Sequence, residues 1–206
     1  MKVLLINGSP HKEGCTNEAL CEVAKTLEKN GIETVTVHIG TKPIAGCIAC
    51  GSCKKTGKCF VNDDKVNEII DILPEIDGIV VGSPVYYAAP SGQICAFLDR
   101  LFFAGSGFAG KVGAAVVSCR RGGATAAFDV LNKYFAISSM PIATSQYWNQ
   151  VHGSTPEDVR KDEEGLQTMR TLGNNMAWML KCFELGKKNG ITIPEREKQI
   201  RTNFIR

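Results

Sequence analysis

The sequence contains no apolar run approaching the roughly 18 residues that a membrane-spanning helix needs. It has almost no excess of one charge: 24 lysines and arginines against 21 aspartates and glutamates give a net +3. That is too mild to point to nucleic acid or to an anionic membrane. The first residues, Met1 to Gly14, carry a short apolar run without a small-residue cleavage site. They read as a buried strand and not as a signal peptide. Internal repeats, low-complexity segments and linker-like stretches are lacking as well. With 44% apolar and 22% charged residues, the composition excludes a disordered or collagenous chain, and 206 residues suit one domain with a real core.

What is abundant is cysteine. There are nine, and Cys47, Cys50, Cys53 and Cys59 stand close together. An odd number without a secretion signal argues against a disulfide framework and for a reducing, cytoplasmic setting, with thiols kept for metal or redox work.

Strand-like and helix-like segments alternate along the chain. Lys2 to Ile6 is a short apolar run of the kind buried on both faces of a parallel sheet, and it ends in Asn7-Gly8-Ser9-Pro10. Thr16 to about Asn30 carries Leu20, Val23, Ala24 and Leu27 at helical spacing, and Glu33 to Ile39 alternates as a second strand. Asp63 or Asp64 is placed to cap a helix through Leu73. Gly78 to Val81 and Val112 to Val117 are further buried strands, Pro141 to Thr144 begins a fifth, and helices are expected from Ser91 to about Phe103 and Ala124 to about Tyr134. The expectation is an α/β fold with a doubly wound, five-stranded parallel sheet in the flavodoxin-like order 2-1-3-4-5 and helices on both faces. Residues 1–206 form a single domain, with a cysteine-rich loop over about 41–62 and a helical extension over about 154–206. In the extension Leu166, Met169, Leu172, Met176, Leu180 and Phe183 share one stripe, and the charged tail from Gly190 is peripheral.

In such a sheet, ligands lie beyond the carboxyl ends of the strands. The turn from Gly8 to Asn17 joins the first strand to a helix N-terminus, where free N–H groups and the helix dipole favour an anion. Ser9, Thr16 and Asn17 add side-chain donors. The turn has neither the Gly-Lys-Ser/Thr of a Walker loop nor the spacing of a dinucleotide fingerprint, which leaves a single terminal monophosphate or a simple helix cap. After the third strand, Pro84, Val85, Tyr86 and Tyr87 offer faces for a flat ring. After the fourth, Ser118, Arg120, Arg121, Gly122 and Gly123 offer hydroxyl, guanidinium and close backbone approach. A phosphate cradle beside a ring cradle implies a mononucleotide, with FMN the foremost candidate.

The four cysteines read C-x2-C-x2-C-x5-C, with Gly51 and Gly57 permitting the turns. Four thiolates from one tight loop suit a [4Fe–4S] cluster or tetrahedral zinc, and the compact spacing leans towards the cluster. Free thiols or a disulfide remain the alternative. Asp99-Arg100 reads as a structural ion pair or an interface contact.

Together, Gly8-Ser9-Pro10 with Gly14-Cys15-Thr16, the Cys47–Cys59 group before Asp63-Asp64, Gly82-Ser83-Pro84-Val85-Tyr86 and Phe97-Leu98-Asp99-Arg100 resemble the NADPH-dependent FMN reductase family over residues 1–150. The cysteine spacing is similar to that of its iron–sulfur flavoprotein branch. The resemblance implies a flavodoxin-like fold, non-covalent FMN, electrons from NAD(P)H or a ferredoxin-like carrier, and a homodimer or homotetramer. It implies that Ser9, Cys15, Thr16 and Asn17 hold the phosphate, that Pro84 to Tyr87 line the ring, and that Ser118 to Gly123 close its other edge. His11 and Cys15 depart from the arginine and asparagine that many relatives have there, and backbone donors can replace both. The function expected is an oxidoreductase passing electrons to a quinone, flavin or other small acceptor, with no catalytic side chain required. A passive electron carrier, a thiol or metal redox sensor and a zinc-stabilised binding module are the alternatives.

Overall fold

The computed structural model describes residues 1–198 and 200–202; Gln199 and residues 203–206, in the expected peripheral tail, lie outside the described residues. Strand β1 (Lys2–Asn7) is buried along its length after Lys2, as a central parallel strand requires. It pairs in parallel with β2 (Glu33–His38) on one side and with β3 (Gly78–Tyr86) on the other. β3 runs well past the expected Val81 and folds back through a two-residue antiparallel strand, β4 (Ala89–Pro90). β5 (Val112–Cys119) and β6 (Gln150–His152) complete the sheet in the order β2-β1-β3-β5-β6. With the short β4 set aside, this is the doubly wound parallel order expected.

The fifth strand is not where the apolar run suggests. Pro141 to Ala143 make only one parallel bridge, between Gly113 and Ile142, and the regular pairing comes later, from Gln150 to His152. Asn149 supplies the reason. Its buried side chain donates Nδ2–H to the Ala115 carbonyl at 3.0 Å and accepts Ser145 Oγ–H at 2.7 Å. A side-chain amide thus takes a ladder acceptor, and the intervening residues loop away from the sheet.

Alternate residues of β1 feed two separate cores. Leu4 and Ile6 pack with Ile79, Val81 and the helices α3 (Val66–Ile72), α4 (Gly92–Ala104) and α5 (Ala124–Ile137). Val3 and Leu5 pack with Val80, Val116 and the helices α1 (Cys15–Lys29) and α7 (Glu163–Lys188). A short helix, α2 (Cys53–Thr56), lies inside the cysteine-rich segment.

The long helix expected from Thr155 divides in two. Helix α6 (Pro156–Lys161) opens on a capping box between Thr155 and Asp158. Asp162 then breaks the run: Oδ1 accepts from Gly165 N–H at 2.9 Å to start α7, and Oδ2 accepts from His152 N–H at 2.6 Å. Met169, Leu172, Met176 and Leu180 of the expected stripe are buried, whereas Phe183 is exposed. After Lys188, residues 189–198 and 200–202 carry no helix, so the extension is shorter than expected. No helix among the described residues is long and apolar enough to cross a membrane.

Candidate cofactor site

Three turns leave the carboxyl ends of β1, β3 and β5, and the structure ties each to the other two. Gly8 N–H donates to the Gly82 carbonyl at 2.8 Å, and Ser91 Oγ–H donates to the Gly8 carbonyl at 2.8 Å. Ser91 also accepts Ile94 N–H as the N-cap of α4, while its own N–H donates to Ser83 Oγ at 3.0 Å. The first and second turns are joined by these bonds. The first and third are joined by Thr16 Oγ1 and Ser118 Oγ, both buried and 2.8 Å apart. The second and third meet at Gly123, whose φ of +90° suits glycine and where a Cβ would lie 2.8 Å from Ala88 Cα.

Two glycines make these approaches possible. A Cβ on Gly8 would stand 2.7 Å from Ile94 Cβ, and one on Gly82 would stand 2.9 Å from Thr16 Cγ2. Thr16 reaches Ser118 across β3 because position 82 has no side chain.

The first turn is held from within. Buried Asn7 accepts Ser9 N–H at 3.0 Å on Oδ1 and donates Nδ2–H to the Lys12 carbonyl at 3.2 Å; Ser9 Oγ accepts His11 N–H at 3.1 Å. His38 Nε2, from β2, lies 2.7 Å from the Ser9 carbonyl and pins the turn from outside. The helix that follows has Gly14 at its N-cap and no side-chain cap. The N–H groups of Thr16 and Asn17 have no acceptor among the described residues, and that of Cys15 meets only its own sulfur. They open onto the rim with the positive end of the α1 dipole behind them.

The structure brings Ser9, Cys15, Thr16, Asn17, Ser118 and Gly123 into one rim but uses them unequally. Ser9 and Thr16 are buried and act in part on the protein itself. Cys15 Sγ is 3.7 Å from the Gly153 carbonyl, and burial pushes its thiol pKa up. Asn17 donates to Cys21 Sγ at 3.4 Å. His11, Arg120, Arg121 and Gly122 are exposed, and neither arginine has an ion-pair partner among the described residues. Pro84 and Val85 are half-buried, while Tyr86 is exposed and Tyr87 is fully so. Tyr87 and Ala88 form the tip of the β3–β4 hairpin at φ of +49° and +59°, a left-handed conformation that costs a non-glycine residue about 1 kcal/mol or more.

The four cysteines line a cavity that none of these rim residues borders. Gly51 and Gly57 have φ of +72° and +70°, as the expected turns require. Cys47, Cys50, Cys53 and Cys59 line one cavity of about 20 Å³, closed on the fold side by Phe103 and Arg100. All four are free thiols. The donor set fits a thiolate-bound metal centre. The sulfurs are not drawn into ligand positions, however: among the described residues no three His, Cys, Asp or Glu side chains stand where they could hold one metal ion. Thiols gain little from mutual approach, and ligand convergence is driven by the metal itself. Ser52 hydrogen bonds favour the charged form of exposed Cys50 and lower its pKa.

Arg100 is the functional candidate that its local sequence hides. It does not pair with Asp99, which instead accepts Tyr134 Oη–H at 2.6 Å. Its guanidinium, 1% exposed, pairs with Asp64 and donates to the Cys59 sulfur and the Ala45 and Val61 carbonyls. Burial opposes its charge, but the hydrogen bonds to Asp64 and Cys59 outweigh that and hold the pKa above the usual arginine value. Asp64 also accepts Val66 N–H at 3.0 Å, but the N-cap of α3 is Lys65, so neither Asp63 nor Asp64 is the cap expected and Asp64 chiefly neutralises Arg100.

Comparison with known proteins places this architecture. Among solved structures, RosB with bound 8-demethyl-8-formylriboflavin-5'-phosphate superposes with a TM-score of 0.68 at 13% identity, over 100% of this chain and 94% of its own. A flavodoxin from the domain Archaea gives 0.60 at 18% identity, over 88% and 99%. These likenesses establish a flavodoxin-like fold. An iron–sulfur flavoprotein of Methanocaldococcus jannaschii is 37% identical over 193 residues, 89% of this chain and 100% of the relative. The model of the NADPH-dependent FMN reductase family matches residues 1–154. The chain therefore belongs to the NADPH-dependent FMN reductase family, with iron–sulfur flavoproteins among its relatives.

Proposed function

We propose that this protein is a cytoplasmic FMN-dependent oxidoreductase that takes electrons from NAD(P)H or a ferredoxin-like carrier. It passes them to a small acceptor such as a quinone or free flavin, with Cys47, Cys50, Cys53 and Cys59 holding a [4Fe–4S] cluster. The observation that carries the flavin reading is the rim: the uncapped first-turn N–H groups of a helix N-terminus, tied to the second turn through Gly8 and Ser91 and to the third by the Thr16–Ser118 bond. The riboflavin-phosphate compound in the RosB structure supports the same reading. The iron–sulfur name of the relative, together with four thiols around one cavity, supports the cluster.

When bound, FMN supplies hydride and single-electron chemistry, and a cluster supplies single-electron exchange. The chain's own residues bind and orient. The N–H groups of Cys15, Thr16 and Asn17 hold the terminal phosphate, with Ser9 shaping the turn and His11, Arg120 and Arg121 adding positive charge from the edge. Pro84, Val85, Tyr86 and Tyr87 lie along the ring, and Ser118, Gly122 and Gly123 border its far side. The exposed Tyr87 is suited to meet a second subunit, and the unit proposed is a homodimer or homotetramer.

Anaerobic purification with flavin, iron and sulfide supplied, followed by an absorption spectrum and cofactor counts, tests the reading. About one FMN per chain is expected, with roughly four irons, the stoichiometry of the cluster named. Protein that yields no FMN on extraction overturns it. NAD(P)H oxidation with a quinone or flavin acceptor separates an enzyme from a passive carrier, which would show no turnover without a partner reductase.

A further inference from the structure

We infer that Arg100 is the positioning residue of the cysteine loop: one buried guanidinium fastens both ends of the loop to α4 and gives the Cys59 sulfur a charged hydrogen-bond donor. The role rests on the reading that the four cysteines hold an iron–sulfur cluster.

A guanidinium has five N–H groups, and here all five are committed. Nε–H donates to Cys59 Sγ at 3.2 Å. Nη1 donates to the Ala45 carbonyl at 3.3 Å and to Asp64 Oδ2. Nη2 donates to the Val61 carbonyl at 2.8 Å and to Asp64 Oδ1 at 3.3 Å. Ala45 precedes the first cysteine of the set and Val61 follows the last, so one planar group holds the segment at its entrance and its exit. Asn67, on α3, adds a second fastening at the exit: its Oδ1 accepts Cys59 N–H at 2.8 Å and its Nδ2–H donates to the Cys59 carbonyl at 2.9 Å. Cys47 and Cys50, by contrast, are exposed.

The four thiols are therefore not equivalent. Cys59 is fixed in place and faces a buried positive charge, whereas the others sit on the part of the loop that must close around a metal. A charged donor to a cluster sulfur favours the more negative, reduced state and raises the potential. Lysine cannot substitute, because its three donors radiate from one point and cannot form the fork.

The test compares wild-type protein, Arg100→Lys and the charge-neutral pair Arg100→Gln with Asp64→Asn, all reconstituted anaerobically. Iron and sulfide are counted per bound FMN, and the cluster potential is read by an electron-paramagnetic-resonance redox titration. FMN occupancy reports folding, since the rim shares no residue with the Arg100 network. A severalfold fall in iron per FMN, or a lower potential in the cluster that remains, is expected in both variants with FMN retained. Variants with full iron and wild-type potential overturn the role of Arg100 while leaving the cluster reading intact. Wild-type protein that binds FMN but no iron overturns the cluster reading and this role with it. One measurement needs no variant: with arginine labelled by ¹⁵N, pulsed resonance on the reduced wild-type cluster should detect a guanidinium nitrogen coupling, and its absence also overturns the proposal.

Discussion

Single atoms decide much of the rim. A methyl group on Gly8 would meet Ile94 Cβ at 2.7 Å and the Gly82 carbonyl at 2.9 Å, and backbone cannot yield as a flexible side chain does. Gly8→Ala should lower stability by about 1–3 kcal/mol, the usual cost of overpacking, and should weaken FMN binding in a fluorescence titration. Thr16→Val removes the hydroxyl that meets Ser118 and leaves a buried oxygen without its partner. A loss of about 1–3 kcal/mol is expected, with weaker FMN binding and folding retained. Among the thiols, Cys50 is exposed with a lowered pKa, whereas burial raises those of Cys15, Cys21, Cys95 and Cys119. In metal-free protein, iodoacetamide followed by peptide mapping should label Cys50 before those four. Ser9 and Ser118 are legible in the sequence because each follows an apolar run, where a parallel strand must turn, and Thr16 because it opens the amphipathic helix after the first turn. Arg100 is not. Neighbours i and i+1 on a helix face different ways, so Asp99 cannot serve it, and its real partners lie 36 and 55 residues away.

Elements form where local chemistry and packing agree. Helix α1 approaches α7 closely because Gly173 lies against Thr26, where a Cβ would come within 2.7 Å of Thr26 Cβ. Gly173→Val should destabilise by at least about 1–3 kcal/mol through overpacking, seen as a lower denaturation midpoint with unchanged slope. The α6 cap predicts a pH effect. Asp158 accepts N–H bonds from Ser154 and Thr155, which hold its pKa below the ordinary aspartate range. A carboxylate depressed on folding contributes fully above its unfolded pKa, and the contribution fades as pH falls through the folded one. Asp158→Asn should therefore lose stability near neutrality and show a shallower fall in melting temperature below about pH 4, where the wild-type carboxylate takes up its proton. The break between α6 and α7 escapes a periodicity reading because Asp162 ends one helix and begins the next without disturbing the apolar stripe. The displaced fifth strand escapes it for a different reason. Pro141-Ile142-Ala143 looks like a strand, but the ladder position is claimed by Asn149, an amide whose partner on β5 no local pattern reveals.

At the scale of the molecule, alternation of strand and helix suffices to specify the parallel sheet, since right-handed crossovers and two apolar faces leave few other arrangements. The position of the rim follows from that sheet. The state of the cysteine loop does not follow, because Cys47 and Cys50 lie on exposed backbone that no core contact fixes. Ligand linkage supplies the matching prediction. FMN at a hundredfold excess over its Kd should stabilise the flavin-free protein by about 2.7 kcal/mol, a rise of roughly 5–10 °C in melting temperature for a chain of this size. Riboflavin, which lacks the phosphate, should raise it much less; an equal rise would show that the α1 N-terminus is not the anchor.

The bond between Thr16 and Ser118 spans the glycine of an intervening strand, so the first and third turns are one rigid jaw and not two independent fingers. Loading the site should then leave that jaw unmoved, and crystals grown with and without flavin should superpose there closely. A bulky acceptor would then meet an exposed Tyr87 ring at the hairpin tip before it met the jaw.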